Sequence, residues 1–579
     1  MAVTKIAEFY GVQQQKDGTL LNPGTARKAV NMETGDGNLS VAECLRRIVN
    51  PPSSYEDETW RELFAFERAT SDDILIACSN YRIMYCLTDY GETPANWQQI
   101  VDLRDLGHNT QNNLDFDAQL ARIWNTDYIL IATGDTQIVK ISIDDLLQGN
   151  ASYEAFGSGV YYLDTALTIS SVGTNSITVS GTTLVDDPDL NTRALVYGVY
   201  IMDGDDVKYL LYVDDITKSS SNTVISLDLT GCTVTTSNKI QLRGGTSDKK
   251  VGALELFHDR LWSAGDPENV SRLYWSCAAG EGRTIEDWVS DDFNEDASGG
   301  HVDVGVADGD KIVALKALSD CLLVFKVNSV WRLYGDRPSN YTLERISDEV
   351  GAYDDGEIVT KYGTPYWLTA NGIYYSDGSN CLNVDSEVNY LRDIFWTVEG
   401  SMRRPACSIP ALRKFLFVVQ NADGKFLLTR DTVTGAYLTF RGEDYADVAT
   451  ASDYDLFLLS NGAVGTHGEN TERLVNFPDE PLEAVWESQI MEFNGLLTKK
   501  QLQCFCFRGQ GGRIRIRIHT DLGDTQTELV PQEMQTNVIR IPVNMSEARY
   551  VQIIISNVDG SRFKIEGGIY IVYDSRAEA

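Results

Sequence analysis

Histidine is the side chain most often used for acid–base catalysis and for zinc binding, and this sequence has five. No two of them have HxH or HxxxH spacing, so a local zinc site has no support. The chain also lacks a GxSxG nucleophile elbow, a GxxxxGK[ST] phosphate loop and a sialidase-type Asp box. We therefore predict no enzymatic activity, no catalytic residue and no cofactor. The histidines are His108, His258, His301, His467 and His519.

Carboxylates are the other candidates for chemistry, with 84 Asp and Glu in the chain. Glycoside hydrolysis needs a pair of them, but with so many acids the sequence singles out no pair. Asp203, Asp205 and Asp206 share one turn, and Asp308 and Asp310 share another. Neither turn continues into a calcium loop with a terminal Glu, and Asp beside Gly also suits a tight hairpin. We interpret both as turns and predict no metal site.

The ten cysteines are scattered, without CxxC or paired Cys/His spacing. Most lie in predicted strands, where a free thiol behaves as a small apolar residue. Cys504 and Cys506 form the one close pair and would lie on the same face of a strand. This usage predicts reduced thiols in a protein made in a reducing cytoplasm, not a disulfide or metal framework.

One predicted strand carries a row of cations. The run RIRIRIH places three arginines on one face and three isoleucines on the other. Such a row could contact phosphate or an acidic partner, or it could be a solvated outer face. The arginines are Arg513, Arg515 and Arg517.

The formal net charge of −35 argues against a protein that grips nucleic acid by neutralising phosphates. It is compatible with two other interpretations. Acidic residues keep a large, Tyr-rich protein soluble, or an acidic wall lets DNA slide past without sticking. Composition alone leaves both open.

Seven segments repeat one pattern of an apolar run, a polar turn and a second β run, which predicts hairpins. Most start about 40 to 60 residues apart, a spacing typical of propeller blades with four strands each. We therefore predict an all-β fold with a β-propeller of about six to eight blades; two sandwiches of unrelated hairpins are the alternative. The segments are Asp72–Leu87, Thr126–Ile141, His258–Ser276, Ser319–Gly335, Tyr362–Gly378, Arg413–Thr429 and Asp453–His467.

One longer gap in this spacing indicates an insertion of alternating strands with its own turns, predicted to be a small β-barrel or sandwich. After the last hairpin, about eight short strands in about 95 residues predict a C-terminal β-sandwich. The predicted organisation is an N-terminal arm and irregular segment (1–60), a first propeller part (61–150), the insertion (151–246), a second propeller part (247–482) and the sandwich (483–579).

The N-terminal region has few periodic segments. Val41–Ile48 is predicted to form a short helix that ends before Pro51 and Pro52. The first ten residues lack the features of a secretory signal, and no run of 18 apolar residues predicts a membrane span.

Several segments resemble one protein family in order and spacing. Asp259-Arg260-Leu261, Pro267 and Tyr274-Trp275-Ser276 match one blade of that family, and Gly309–Gly335 matches the next. Val350-Gly351-Ala352, followed by Tyr366–Gly378 with Gly372 and Gly378, is similar to a third. Phe9-Tyr10-Gly11 and Leu21–Met32 look like the family's opening, with Tyr10 where the family commonly has Gly. The family is the tail nozzle, or tail tubular protein B, of short-tailed bacteriophages, which grades into packaged-DNA stabilisation proteins.

This resemblance implies a structural virion protein that is made in the host cytoplasm. It implies a homohexameric ring below the tail adaptor (head-to-tail connector) ring, with fibre or spike proteins at its side. Double-stranded DNA would be retained by this ring and then conducted through it without sequence-specific binding. A carbohydrate- or receptor-binding tail propeller, and a hub or stopper protein of a longer-tailed phage, remain the alternatives.

Overall fold

The computed structural model shows a chain built almost entirely from β-strands. It divides into two compact units, residues 1–99 with 352–579 and residues 100–351. Asp205 and the start of the segment Leu21–Met32 lie outside the described residues. The structure describes residues 2–577 except 14–23, 36, 56–57, 70–71, 110–113, 124, 158–165, 205, 243–248, 281–283, 289–295, 297, 370, 385–403, 410–412, 422–423, 452–453, 469–482, 493–497 and 530–537.

Two predictions for the first 60 residues are wrong. The described part is mostly extended strand instead of irregular, and the segment Val41–Ile48 is not helical. Its residues from Cys44 onward form a strand that pairs antiparallel with Val464–Gly468. A partner more than 400 positions away overrides the local helical pattern. The strands are β1 (Ala2–Ile6), β2 (Ala26–Val30), β3 (Met32–Gly35), β4 (Asn38–Val41) and β5 (Cys44–Val49).

Two four-stranded antiparallel sheets follow, each in simple chain order. The second strand of the first sheet is buried along its whole length, as an apolar strand covered on both faces must be. The strands are β6 (Trp60–Phe66), β7 (Asp73–Ser79), β8 (Arg82–Thr88) and β9 (Gln98–Asp102), then β10 (Asp117–Ile123), β11 (Thr126–Ala132), β12 (Val139–Ser142) and β13 (Glu154–Ala155), with helix α1 (Ile143–Leu147) before β13.

The inserted segment forms a seven-stranded sheet and also contains helices, which the sequence analysis did not predict. Its hydrophobic cluster draws only on residues between Leu167 and Leu242. The elements are β14 (Leu167–Val172), β15 (Ser176–Ser180), α2 (Thr183–Asp186), α3 (Pro188–Tyr197), β16 (Val199–Asp203), β17 (Asp206–Leu211), β18 (Val213–Ser219), β19 (Asn222–Leu227) and β20 (Lys239–Leu242), and the sheet order is β17-β16-β20-β14-β15-β19-β18.

Three further four-stranded sheets repeat the same antiparallel order. Their middle hairpins coincide with the hairpins predicted from the sequence. The strands are β21 (Ala253–Phe257), β22 (Arg260–Ala264), β23 (Arg272–Trp275) and β24 (Gly300–Asp303); β25 (Ile312–Ala317), β26 (Leu322–Lys326), β27 (Val330–Tyr334) and β28 (Thr342–Ser347); and β29 (Ile358–Lys361), β30 (Thr364–Thr369), β31 (Gly372–Ser376) and β32 (Cys381–Asn383).

The next four strands keep the blade order but belong to a larger sheet. The three strands after them form the last blade, which the N-terminal strand β5 completes. That strand fills the fourth position beside Val464–Gly468, so the sheet pairs two segments that are distant in sequence. The strands are β33 (Ala406–Ile409), β34 (Lys414–Asn421), β35 (Gly424–Asp431), β36 (Tyr437–Phe440), β37 (Tyr445–Ala451), β38 (Tyr454–Leu459) and β39 (Val464–Gly468).

The C-terminal strands do not form a sandwich of residues 483–579 alone, which corrects the predicted boundary. They lie in two sheets that also take in N-terminal strands, and both sheets contribute to one hydrophobic cluster. The strands are β40 (Val485–Ser488), β41 (Thr498–Gly511), β42 (Ile514–Thr520), β43 (Gly523–Leu529), β44 (Ile539–Ala548), β45 (Val551–Asn557) and β46 (Phe563–Ala577); the sheet orders are β33-β34-β35-β36-β2-β40-β45-β42-β43 and β3-β4-β46-β41-β44, with β1 also on β46.

Within each unit, the first strands of successive sheets lie next to one another. In residues 100–351 this series is β10, β21 and β25; in the other unit it is β29, β33, β37 and β6. Hydrophobic clusters fill the spaces between such neighbours, for example around Trp262 between the sheets that begin with β21 and β25. Side-by-side packing of four-stranded sheets by their faces is the arrangement of propeller blades.

Candidate functional site

The motif Asp259-Arg260-Leu261 begins strand β22 and holds its sheet together. His258 and Asp259 form the two-residue turn before it, both with positive φ (49° and 57°), as a primed hairpin turn requires. The Arg260 side chain is buried. Its Nη1 donates to the carbonyl oxygens of Ser276 and Ser298, each at 2.7 Å, and its Nη2 donates to that of Asp296. The guanidinium therefore ties three backbone segments together.

Ser276, the last residue of the same motif, adds side-chain hydrogen bonds to the backbone where β23 ends. Its Oγ accepts from the backbone N–H of Leu261 at 2.9 Å and donates to the carbonyl of Cys277 at 2.8 Å. The backbone N–H of Ser276 donates to the carbonyl of Leu261 at 2.9 Å. The hydroxyl is buried and fully used, so it is not placed as a nucleophile.

Tyr274 and Asp266 form a second buried contact in this blade. The Tyr274 hydroxyl donates to Asp266 Oδ2 at 2.5 Å, and Asn269 Nδ2 donates to the same atom at 3.0 Å. Burial alone would raise the pKa of Asp266, but these donors hold it below its usual value. Burial and the hydrogen bond to Asp266 raise the pKa of Tyr274. Asp266 is thus an anion occupied by protein donors, which suits a structural role better than that of a general base.

Pro267 and Trp275 complete this motif, and neither supplies a reactive group. Pro267 is exposed in the loop between β22 and β23. Trp275 packs against Trp262 and Tyr341, with ring centroids 5.5 and 5.4 Å away. The His258 ring lies with Nδ1 at 3.2 Å from the carbonyl oxygen of Gly335.

The four motif glycines lie at backbone positions that other residues fit poorly. Gly335, Gly372 and Gly378 have φ of 118°, 119° and 89°, which disfavours any residue with a Cβ. At Gly351 the constraint is space, because a Cβ would lie 2.5 Å from the carbonyl oxygen of Val327. Gly335 belongs to the blade β25–β28, Gly372 and Gly378 belong to the blade β29–β32, and Gly351 lies in the connection between them.

The turn with Asp308 and Asp310 is filled by protein donors instead of offering a calcium site. The buried Lys326 Nζ donates to both carboxylate oxygens of Asp308, at 2.6 and 2.7 Å, and to the carbonyl of Val304 at 2.9 Å. Asp310 accepts from the hydroxyl of Ser329 at 2.9 Å. An internal ammonium therefore occupies the place where a cation would bind.

Two buried aspartates join neighbouring blades, and the sequence analysis did not identify them. Asp117 on β10 accepts from the backbone N–H of Leu254 on β21, and Asp447 on β37 accepts from that of Leu63 on β6, each at 2.6 Å. Both carboxylates lie on the first strand of one sheet and reach the first strand of the next. Asp447 lies within the mostly apolar strand YADVATA, which was an available signal, whereas Asp117 begins a strand of mixed polarity and gave none.

Arg515 and Arg517 lie on β42, Arg513 directly precedes it, and the isoleucines on the opposite face are buried. Arg513 Nη1 donates to Asp559 Oδ2 at 2.8 Å, and Arg517 Nη2 lies 3.5 Å from Gln526 Oε1. Arg515 is in register with Glu528 on β43. Arg513 thus has an acidic neighbour and Arg517 an amide neighbour, which weakens the case for a phosphate site.

In the described part of the chain, no three His, Cys, Asp or Glu side chains are grouped closely enough to hold a metal ion. None of the helices within the described ranges is long and apolar enough to cross a membrane. The motif residues between Asp259 and Ser276 stabilise one blade, whereas Arg513, Arg515 and Arg517 lie on or directly before β42, in a different sheet.

No family model matches the chain, and no curated protein matches it. Several solved structures are similar to the chain. The computationally designed Ika8 protein has 12% identity over 73% of this chain and 99% of its own, with a TM-score of 0.33. BamB from Moraxella catarrhalis has 9% identity over 82% and 100%, with a TM-score of 0.28. AztD from Citrobacter koseri has 10% identity over 66% and 96%, with a TM-score of 0.29.

TM-scores of this size carry no argument about function. The fold is nevertheless clear from the sheets themselves. The chain is an all-β protein of the β-propeller type, with six separate four-stranded blades and additional sheets.

Proposed function

We propose that the chain is a structural subunit of the tail nozzle of a short-tailed bacteriophage. In this role it forms a homohexameric ring on the tail adaptor, retains the packaged DNA and conducts it during ejection. The protein performs no bond chemistry, and it is located in the virion after synthesis in the host cytoplasm. Tail fibre or spike proteins bind at its side.

The observation that carries this proposal is the use made of the family-like residues. Arg260 and Ser276 are buried and spend their hydrogen-bonding groups on the backbone of their own blade. Gly335, Gly351 and Gly372 mark backbone positions in the following blades. A set of residues that serves the framework of consecutive blades fits a rigid ring subunit better than an enzyme, whose distinctive residues would converge on a pocket.

Charge gives independent support for passive passage of DNA. Each chain carries a formal charge of −35, so six copies would carry six times that charge. Like charge on DNA and protein prevents the counterion-release binding by which basic proteins hold phosphates. At physiological salt this repulsion extends only about 8 Å from a surface, so it acts where DNA nearly touches the wall.

Electron microscopy of phage particles made with and without the gene tests the proposal, with the wild-type gene supplied in trans as the matched control. We expect particles without the protein to have full heads that lack the tail tip, or empty heads that have lost their DNA. Sixfold averaging of complemented particles should then show the ring. Intact, DNA-filled particles that fail to adsorb would refute the nozzle role and favour a receptor- or carbohydrate-binding propeller.

A further inference from the structure

The six-stranded sheet has one face turned toward its hydrophobic cluster and another turned toward solvent. On the neighbouring strands β1, β46, β41 and β44, inward side chains such as Phe505 and Ile571 belong to the cluster. The residues that alternate with them point outward, and among these Val3 is 59% and Tyr570 is 41% exposed. We call the outward side chains of these four strands the open face.

One row across the open face is apolar. In register from strand to strand it consists of Val3, Val572, Cys504 and Pro542. The two ends of the row, Val3 and Pro542, are exposed. Antiparallel sheets with one solvated face normally carry polar residues on that face. An apolar row on this side therefore indicates a surface that another molecule covers.

The next row is cationic at both ends, although the chain has a formal net charge of −35. In register it consists of Lys5, Tyr570, Cys506 and Arg540. Lys5 Nζ lies 5.0 Å from the centroid of the Tyr570 ring, which fixes the ammonium over the face. Arg540 Nε donates to Cys504 Sγ at 3.2 Å, so this guanidinium lies flat beside the apolar row.

The cations of the open face lack carboxylate partners within the chain. Arg508, two positions after Cys506 on β41, is a third exposed cation. Glu566 is opposite Arg508 in register but forms its ion pair with Lys564, at 3.3 Å. Among the described residues, no ion pair involves Lys5, Arg508 or Arg540. The open face therefore combines an apolar row with three cations that are available to anions.

We propose that the open face binds an acidic surface of a second copy of this chain. The chain has 84 Asp and Glu against 49 Lys and Arg, so acidic surface is what another copy mainly offers. Protein interfaces typically have an apolar centre and a polar rim, and the apolar row beside the cations has this composition. A nucleic acid would use the cations but would leave the apolar row uncovered.

The contact is heterologous, because the open face of one copy meets a different surface of the next. Two open faces pressed together would place cations near cations without adding a carboxylate, and like charges across an interface are unfavourable. Heterologous contacts form closed rings when the rotation between copies closes. The inference thus locates one side of the subunit contact, and its closure into a sixfold ring rests on the function proposed above.

Carbodiimide crosslinking tests this contact. The reagent joins an amine to a carboxylate in direct contact through an amide bond, and the lost oxygen leaves with the reagent as a urea. The full-length protein is treated in purified form, as an equal mixture of unlabelled and ¹⁵N-labelled chains, and also in phage particles. We expect a two-chain band in which Lys5 is linked to an Asp or Glu, with mixed labels in the purified sample. Lys5→Gln should remove this link.

Substitutions on the open face should weaken the contact. Arg540→Glu and Val3→Glu should each reduce the yield of the two-chain band by at least about tenfold, because they place a like charge against the acidic surface. Arg122→Glu and Val433→Glu are the matched controls and should leave the yield unchanged. Arg122 lies on β10 and Val433 lies in the turn before β36, and both side chains are 67% exposed.

Three results would overturn the proposal. They are the absence of crosslinks between copies in both samples, crosslinks from Lys5 only to a different protein, and equal yields in Arg540→Glu and Arg122→Glu. Crosslinks between purified copies, together with absence of the protein from the particles, would refute the nozzle role but support this contact.

Discussion

Replacement of Arg260 by methionine should destabilise the unit formed by residues 100–351 more than almost any other single change of a charged residue. Methionine keeps much of the apolar stem and volume but removes the donors that reach the carbonyls of Ser276, Ser298 and Asp296. A hydrogen bond to a charged group contributes about 1.5–3 kcal/mol net. Three such bonds at the lower value therefore give a loss of at least about 4 kcal/mol.

Thermal unfolding at one fixed scan rate measures this effect, because large proteins often unfold irreversibly. For a unit of this size, about 4 kcal/mol lowers Tm by roughly 10 °C. Arg260→Lys should recover less than half of the loss, since one ammonium cannot span three carbonyls in the geometry of a guanidinium fork.

Arg122→Met is the matched control. The Arg122 side chain is 67% exposed and lies 3.9 Å from Asp127, so its loss should change stability by less than about 0.5 kcal/mol. A decrease in Tm of less than about 3 °C for Arg260→Met would show that the three carbonyls find other donors. The framework role assigned to this residue would then be wrong.

Three other measurements test separate parts of the structure. Burial raises the pKa of Glu357 to about 8, so the stability contributed by the protonated carboxyl is full below about pH 4.5 and is lost as pH rises through 8. Between pH 5 and pH 9, Tm should therefore fall less in Glu357→Gln than in the wild type. Equal decreases in Tm would contradict the raised pKa. Gly351→Ala should lower the free energy of unfolding, measured by denaturant titration, by more than about 2 kcal/mol, because its Cβ would meet the carbonyl of Val327. Gly280→Ala is the matched control and should be nearly neutral, because the added Cβ meets nothing. The purified protein should bind double-stranded DNA more weakly than a Kd of about 10⁻⁴ M at physiological salt, and a gel shift at micromolar protein would contradict the passive-channel interpretation.

The hairpins could be predicted because their signal is local. Each has an apolar run, a polar turn and a second strand within about 17 residues. The segment Ser319–Gly335 illustrates this, since β26 is buried throughout and pairs with β27 as the pattern predicts. The sequence spacing also indicated where the series of blades is interrupted.

Helix α3 was missed although its boundaries are present in the sequence. Pro188 begins the helix, and the Asp187 side chain accepts from the backbone N–H of Leu190 at 3.3 Å. Gly198, with φ of 75°, follows its last residue. Asp-Pro at the start and Gly at the end are ordinary helix signals. The alternating strands on both sides led us to interpret the whole insertion as β.

The N-terminal strands could not be predicted by any local rule, because their partners are distant in sequence. β5 completes a sheet whose other strands begin at Tyr445, and β2 lies between β36 and β40. Their propensity is ambiguous, and the free energy that fixes them comes from pairing across more than 400 residues. A sheet that pairs segments so distant in sequence forms late, and neither segment can leave without breaking a ladder. Loss of residues 1–50 should therefore destabilise the blade of β37–β39 and both C-terminal sheets together, which a separate arm would not do.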